Sequence, residues 1–235
     1  MRKFLQTAAR QIGIDVLSYD FSREFIYDHH LRDMLERHDI QHVYDIGANI
    51  GGFGNALRRI GFKGSIHSFE PASSAYAMLE SQALKDNNWR TYKFAFGERV
   101  GSVDLNLMVG SELSSFLEPL QTSPKMKKAD TENVQVRTLD EFEKLTDWSK
   151  TFIKIDTQGH DLAVMRGGAS VLERVPMLQT EISVIPIYRD MPTFVEAIQY
   201  VNQIGFDVTG LFPVSRDNHL RVIEFDCVAV NRNVL

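Results

Sequence analysis

Three features of the sequence predict an α/β fold built on a mostly parallel sheet. From residue 42 onward, short apolar runs of strand length alternate with segments whose apolar residues recur every three or four positions. Several of these runs carry an acidic residue at or near their end, as in Val43-Tyr-Asp-Ile-Gly47, Phe69-Glu-Pro71 and Ile153-Lys-Ile-Asp156. Near the C-terminus two apolar segments, 206–212 and 221–230, flank a polar turn too short for a crossover, so that pair is antiparallel.

The elements follow in order. Residues 1–41 read as a helical cap, because Tyr27, Leu31, Met34 and Leu35 share one face. Within it, Ile12, Ile14, Val16 and Leu17 fit either a short strand or part of a helix. A strand at about 42–46 leads to a helix at about 53–60 that Gly61 closes. The run 65–69 is a second strand, and Pro71 and Ser73 open a helix carrying Tyr76, Leu79, Ala83 and Leu84. The run 91–96 is the third strand, completing a β-α-β-α-β unit with helices on both faces of the sheet.

The region 100–109 alternates in part, as an extra strand or a hairpin arm would. The polar stretch that follows, with Pro124 and the lysines 125, 127 and 128, predicts a lid near 109–133 that orders over the ligand crevice. The lysines read as a solvated face or as contacts to an anionic tail. Residues 134–139 are extended, with Asp140 as cap of the short helix after them. A buried strand at 152–155 precedes a helix bearing Leu162, Met165 and Ala169, interrupted at Gly167-Gly168. Residues 176–183 form the fifth strand, and Phe194, Ile198 and Val201 mark a helix ended by Gly205.

A chain of 235 residues accommodates one well-buried core, here a cap at 1–41 and a main domain at 42–235. The net charge of −5 gives no support for nucleic-acid binding or a basic membrane footprint. The single cysteine, Cys227, excludes an intrachain disulfide and a multi-cysteine zinc site, and its apolar surroundings assign it to packing. No run approaches a membrane span and the first residues lack an apolar export core, so the cytoplasm is the expected location.

At the first strand-to-helix turn stand Asp45, Gly47, Asn49, Gly51 and Gly52. Glycines there let the backbone pass close to a ligand, although a tight turn with no ligand has the same composition. The spacing G-x-N-x-G-G departs from the dinucleotide fingerprint and lacks the Lys-Ser/Thr of a P-loop. It fits S-adenosylmethionine (SAM) better than NAD or a nucleoside triphosphate. Glu70, ending the next strand, suits ribose hydroxyls.

Taken together, residues 43–51, 69–71, 136–140, 152–159, 176–181 and 225–231 resemble the FkbM-type family of SAM-dependent methyltransferases, in the family's order. The resemblance implies a Rossmann-like class I methyltransferase fold: a seven-stranded sheet of order 3-2-1-4-5-7-6 with strand seven antiparallel. It implies an enzyme that methylates hydroxyl groups of sugars or natural products. Asp45, Gly47, Asn49 and Gly51 would then face the methionine end of SAM, Glu70 the ribose diol, and Ala95 and Phe96 the adenine.

A second constellation lies on the fourth and fifth strands. Asp156 and Glu181 end adjacent strands on one rim, with His160 and Asp161 within a turn of Asp156. An alcohol becomes a competent nucleophile when a base or a divalent ion draws off its proton. Asp156, His160 and Glu181 are therefore the catalytic candidates. His160 reads as base, substrate contact or structural residue, and Asp156 as site carboxylate, helix cap or partner of a lysine. Lys154, between Ile153 and Ile155, is expected to pair with a carboxylate. Asp156, Asp161 and Glu181 would offer Mg²⁺ or Mn²⁺ an oxygen-rich site if they converge. The expected acceptor is a small molecule, preferably a sugar or glycoconjugate hydroxyl. The alternatives are N-methylation of a small amine and a noncatalytic SAM-binding scaffold.

Overall fold

Alternation of side chains along five-residue strands sets the architecture. In β1 (His42–Ile46), Tyr44 and Ile46 point to one face of the sheet and Val43 and Asp45 to the other; β7 (Thr151–Ile155) repeats this with Ile153 and Ile155 opposite Phe152 and Lys154. Both faces of both strands are buried, so each needs a helical layer. The computed structural model describes residues 22–120, 123–145 and 147–234. The expectation for 12–17 lies outside them.

On the first face pack α4 (Asp161–Arg166), α5 (Ala169–Leu172) and α6 (Phe194–Gln203), contributing Leu162, Met165, Leu172 and Val201 to the core. On the second pack α1 (Ser22–Arg37), α2 (Gly52–Ile60) and α3 (Ser73–Ala83), through Leu31, Met34, Leu57 and Leu79. The apolar stripe of α1 is the one read from the sequence: Leu31, Met34 and Leu35 are all buried.

The remaining strands of the main sheet are β2 (Ser65–Phe69), β3 (Trp89–Tyr92), β8 (Met177–Ser183), β9 (Phe206–Arg216) and β10 (Val222–Asn231). Their order is β3-β2-β1-β7-β8-β10-β9, with β10 antiparallel to both neighbours. Counted without the strands of the small sheet, this is the order 3-2-1-4-5-7-6. The fold is a class I Rossmann-like methyltransferase fold.

Three local expectations need correction. The run 91–96 is not one strand: β3 ends at Tyr92, whose carbonyl accepts from the Glu70 N–H, and Ala95–Phe96 (β4) leaves to join a second sheet. That sheet, of order β4-β6-β5, is completed by β5 (Gly101–Met108) and β6 (Lys128–Arg137). The polar residues 128–133, expected in a loop, are therefore half of a long hairpin, since pairing with β5 satisfies their backbone. Asp140 does not cap the turn after it: its carboxylate accepts from the Ser170 and Val171 N–H groups at the start of α5. Gly167 and Gly168 do separate α4 from α5, and Gly61 and Gly205 follow α2 and α6 as expected.

Candidate active site

Each central strand carries an apolar residue and, two positions toward the same rim, a polar one on the same face. The pairs are Val43/Asp45, Phe152/Lys154, Met177/Gln179 and, in the reversed β10, Val228/Asp226. The apolar members form the floor under α1 and α2. The polar members form a row along the carboxyl ends of the parallel strands, where open α/β sheets take their ligands. A cavity of about 390 Å³ opens there, a size usual for small-molecule sites.

At one end the cavity is bounded by the β1 turn. Gly47, Ala48, Asn49 and Gly52 line it. Gly47 (φ 79°) has no room for a side chain, since a Cβ would stand 1.8 Å from the Asp156 carbonyl oxygen. Gly51 (φ 89°) instead faces Trp89 and Leu79 in the core. Glu70 lines the same end, its two oxygens accepting from the Asn49 and Ala72 N–H groups at 2.8 Å each. Burial pushes its pKa up to about 7 against the pull of those two bonds. Phe69, Phe94, Ala95, Phe96 and Leu105 supply an apolar wall beside it.

The β7 turn forms the other end and repeats the left-handed backbone, at Gln158 (φ 52°) and Gly159 (φ 90°). Lys154 lies 3.3 Å from Asp45 and 3.2 Å from Asp156, with Phe53 under its ammonium at 5.4 Å. Burial opposes its charge, but Asp156 and Asp45 outweigh burial and hold its pKa above the ordinary lysine value. The Gln158 amide donates to Asp156 (3.1 Å) and to Glu181 (2.8 Å). Its carbonyl side lies 3.0 Å from the Tyr188 hydroxyl, which also reaches the Leu113 carbonyl at 2.7 Å. Beyond Lys154, Gln179 and Asp226 line the cavity, and Tyr27 of α1 closes it by donating to Gln179 at 2.8 Å.

The loop after β5 roofs the cavity through Ser111, Glu112, Ser114 and Phe116. It is fastened to both turns: the Ser111 hydroxyl donates to Asn49 Oδ1 (3.0 Å) and the Ser115 hydroxyl to the Gln158 carbonyl (2.7 Å). Lys125 pairs with Glu112 at 2.8 Å on the exposed side, and Lys127 and Lys128 are exposed.

Residues 45–208 match the model of the methyltransferase FkbM domain, well over half of the chain. The chain belongs to the FkbM methyltransferase family. It is a SAM-dependent methyltransferase. Among solved structures, methyltransferase FkbM from Methylobacillus flagellatus superimposes with a TM-score of 0.55 at 19% identity, over 82% of this chain and 44% of that one. The chain thus spans less than half the length of that protein. The methyltransferase domain of METTL16 superimposes with a TM-score of 0.51 at 8% identity, over 88% and 67%. At such identities both likenesses speak for the fold alone. No curated protein matches the sequence.

In this FkbM enzyme the residues predicted to meet SAM divide. Gly47, Asn49, Glu70, Ala95 and Phe96 line the cavity, whereas Asp45 and Gly51 do not. Asp45 is wholly buried, paired with Lys154 and accepting from Ser68 at 3.2 Å, and burial raises its pKa. The cavity accommodates the cofactor's chemistry: a turn bare of side chain at Gly47, an oriented carboxylate at Glu70 and an apolar wall line it.

Of the catalytic candidates, Asp156 lines the cavity; His160 and Glu181 are not among the lining residues. The His160 ring stands edge-on to Phe116 at 5.0 Å and burial lowers its pKa. Asp161 is buried and accepts from the Thr157 and Thr180 hydroxyls, at 3.2 and 3.1 Å, with its pKa pushed by burial up to about 7. Asp156 and Glu181 both accept from the Gln158 amide, while Asp161 is taken up by the two threonines. Among the described residues no group of three or more His, Cys, Asp or Glu side chains is arranged to hold a metal ion.

Sequence reasoning missed Tyr27, Gln158, Gln179, Tyr188 and Asp226. The signal available for two of them was a polar residue two places from an apolar one within a buried strand. Nothing local distinguished Tyr27 from the rest of its apolar helical face. No helix among the described residues is long and apolar enough to cross a membrane.

Proposed function

We propose that the enzyme transfers the methyl group to a hydroxyl of a small molecule, with a sugar or glycoconjugate as the preferred acceptor. The observation that carries this reading is the make-up of the cavity's far end. Carboxylates and planar amides (Asp156, Gln158, Gln179, Asp226) stand beside the aromatic rings of Tyr27, Phe53 and Phe116. Polyhydroxyl rings need both, since their hydroxyls donate and accept while their C–H faces pack on aromatic surfaces.

When bound, SAM supplies an electrophilic methyl group on a sulfonium. The protein's part is to hold the two reactants in line and keep water out. The methionine end of SAM would lie against the Gly47–Gly52 turn, where Gly47 brings bare backbone to the cavity. Glu70 would hold the ribose hydroxyls, and Ala95 and Phe96 would flank the adenine. Asp156, fixed between Lys154 and Gln158, accepts a hydrogen bond from the acceptor and sets its angle of approach. The roof loop excludes solvent.

N-methylation of a small amine is the second reading. It draws on the excess of carboxylates over cations at this end, where Asp156 and Asp226 stand near Lys154 and would attract an ammonium group. Incubation of a metabolite extract with methyl-labelled SAM separates the two. The labelled product is expected to carry a methyl ether; a labelled N-methyl group would overturn the hydroxyl assignment.

A further inference from the structure

Two carboxylates line the far end of the cavity, and they are held differently. Asp156 lies 3.2 Å from the Lys154 ammonium and accepts from Gln158. Asp226, on the antiparallel strand β10, accepts from the Gln179 amide through Oδ1 at 3.0 Å, and Gln179 in turn accepts from the Tyr27 hydroxyl at 2.8 Å. The one side-chain hydrogen bond to Asp226 among the described residues is this one, and it leaves Oδ2 unused.

We infer that Asp226 takes the proton of the acceptor's hydroxyl, and that Tyr27 and Gln179 are positioning residues that fix its carboxylate so that Oδ2 serves the cavity. The acceptor then lies between α1 and the carboxyl ends of β7 and β8. The inference rests on the hydroxyl-methylation reading and adds to it the identity of the base. As the acceptor oxygen bonds to the methyl carbon, the carbon–sulfur bond breaks and its electron pair remains on sulfur. The hydroxyl proton passes to Asp226 and from there to solvent after product release. SAM is the sole co-reactant.

Geometry favours Asp226 over its neighbour: Asp156 is engaged by both the Lys154 ammonium and the Gln158 amide, whereas Asp226 is held through one oxygen by Gln179. Asp226 faces Tyr27 from α1, Lys154 and Asp156 from β7 and its turn, Glu181 from β8, and Glu224 on its own strand. Burial, then the charge of Asp156, push its pKa up to about 6, and Lys154 only partly offsets them. That value suits a general base at neutral pH. Because the base must be unprotonated, turnover should fall as the pH drops through that value.

The test combines calorimetry, carboxyl labelling and turnover on the full chain. Asp226→Asn should bind S-adenosylhomocysteine within about threefold of the unmodified protein, about 0.65 kcal/mol. A tenfold loss would place Asp226 at the cofactor end and overturn the inference. Carbodiimide amidation with glycine ethyl ester, read by peptide mass spectrometry, should modify Asp226 both with and without S-adenosylhomocysteine; protection in both states would overturn it. Turnover is measured with methyl glycosides of neutral hexoses, 6-deoxyhexoses and 2-aminohexoses as probes. Asp226→Asn should lower kcat about a hundredfold or more and abolish the acid limb of its pH profile. Tyr27→Phe should shift that limb with a smaller loss of kcat. Retention of rate and limb in Asp226→Asn refutes the assignment. If no glycoside is methylated while S-adenosylhomocysteine binds, the sugar reading fails, and the labelling result alone decides for or against Asp226.

Discussion

The two ends of the cavity are built by different means. Around the β1 turn the polar contacts to Glu70 come from backbone N–H groups of Asn49 and Ala72, close in sequence to the turn or to Glu70 itself. Around the β7 turn they come from side chains brought together by strand register: Lys154, Gln158, Gln179, Glu181 and Asp226, with Tyr27 from a helix, 152 positions before Gln179. A site made of backbone is as rigid as the turn that carries it. A site made of buried charges depends on each partner being present.

Removing a partner at the second end should therefore have the largest effect. Lys154→Met leaves Asp45, wholly buried, and Asp156 without their cation. The expected cost is about 3–5 kcal/mol of unfolding free energy, the usual penalty for an uncompensated buried charge. Urea denaturation at pH 7.5 measures it. A loss below 1 kcal/mol would mean that Asp45 simply takes up a proton and that the pairing contributes little.

At the first end the expected effect is on binding. Glu70→Ala removes the group proposed for the ribose and releases two backbone donors. S-adenosylhomocysteine affinity should fall about 10- to 100-fold, as for a lost charge-assisted hydrogen bond. Asp156→Ala should leave that affinity nearly unchanged and lower turnover instead. If both variants lose cofactor affinity alike, the division of the cavity into two ends is wrong.

This division also explains what the sequence made legible. The turn of Gly47 and Asn49, the carboxylate of Glu70 and the antiparallel final pair follow from short-range patterns: glycine spacing, apolar runs and the length of the final turn; the strand order was implied by the resemblance to the FkbM-type family. The roles of Asp45 and Lys154 were only half visible. Lys154 was expected to pair with a carboxylate and Asp45 to face SAM, but their mutual pairing needs the register in which Asp45 stands opposite Lys154. Tyr27, Gln179 and Asp226 were invisible for the same reason, each unremarkable in its own segment. The split of 91–96 into two strands was missed because Ala95 and Phe96 find their partners in Val136 and Arg137, some forty positions on (Ala95↔Val136, Phe96↔Arg137).

A smaller effect comes from the carboxyls held above their ordinary range. Glu70 and Asp161 titrate at about 7 and Asp226 at about 6, each raised first by burial. A raised pKa means that the folded chain binds protons the unfolded chain has released. Stability from these groups is thus full below the ordinary carboxylate pKa and is lost as pH rises through 6 to 7. The protein without ligand should melt at a higher temperature at pH 5.5 than at pH 8. SAM, whose sulfonium and ammonium are positive, should raise the melting temperature more at pH 8. An unliganded protein more stable at pH 8 would show that these carboxyls ionise without cost.

The least effect is expected at His160, one of the three catalytic candidates read from the sequence. Its ring packs on Phe116, beside Gly97, and it is not among the residues lining the cavity. An imidazole there can act on the acceptor only if the Phe116 loop moves aside, and that loop is tied through Ser115 to the Gln158 carbonyl. His160→Gln should keep kcat within about twofold, the range of a surface packing change of ~0.5 kcal/mol, and leave the acid limb of the pH profile in place. A tenfold fall in kcat with unchanged S-adenosylhomocysteine affinity would instead return the base to this turn and take it from Asp226.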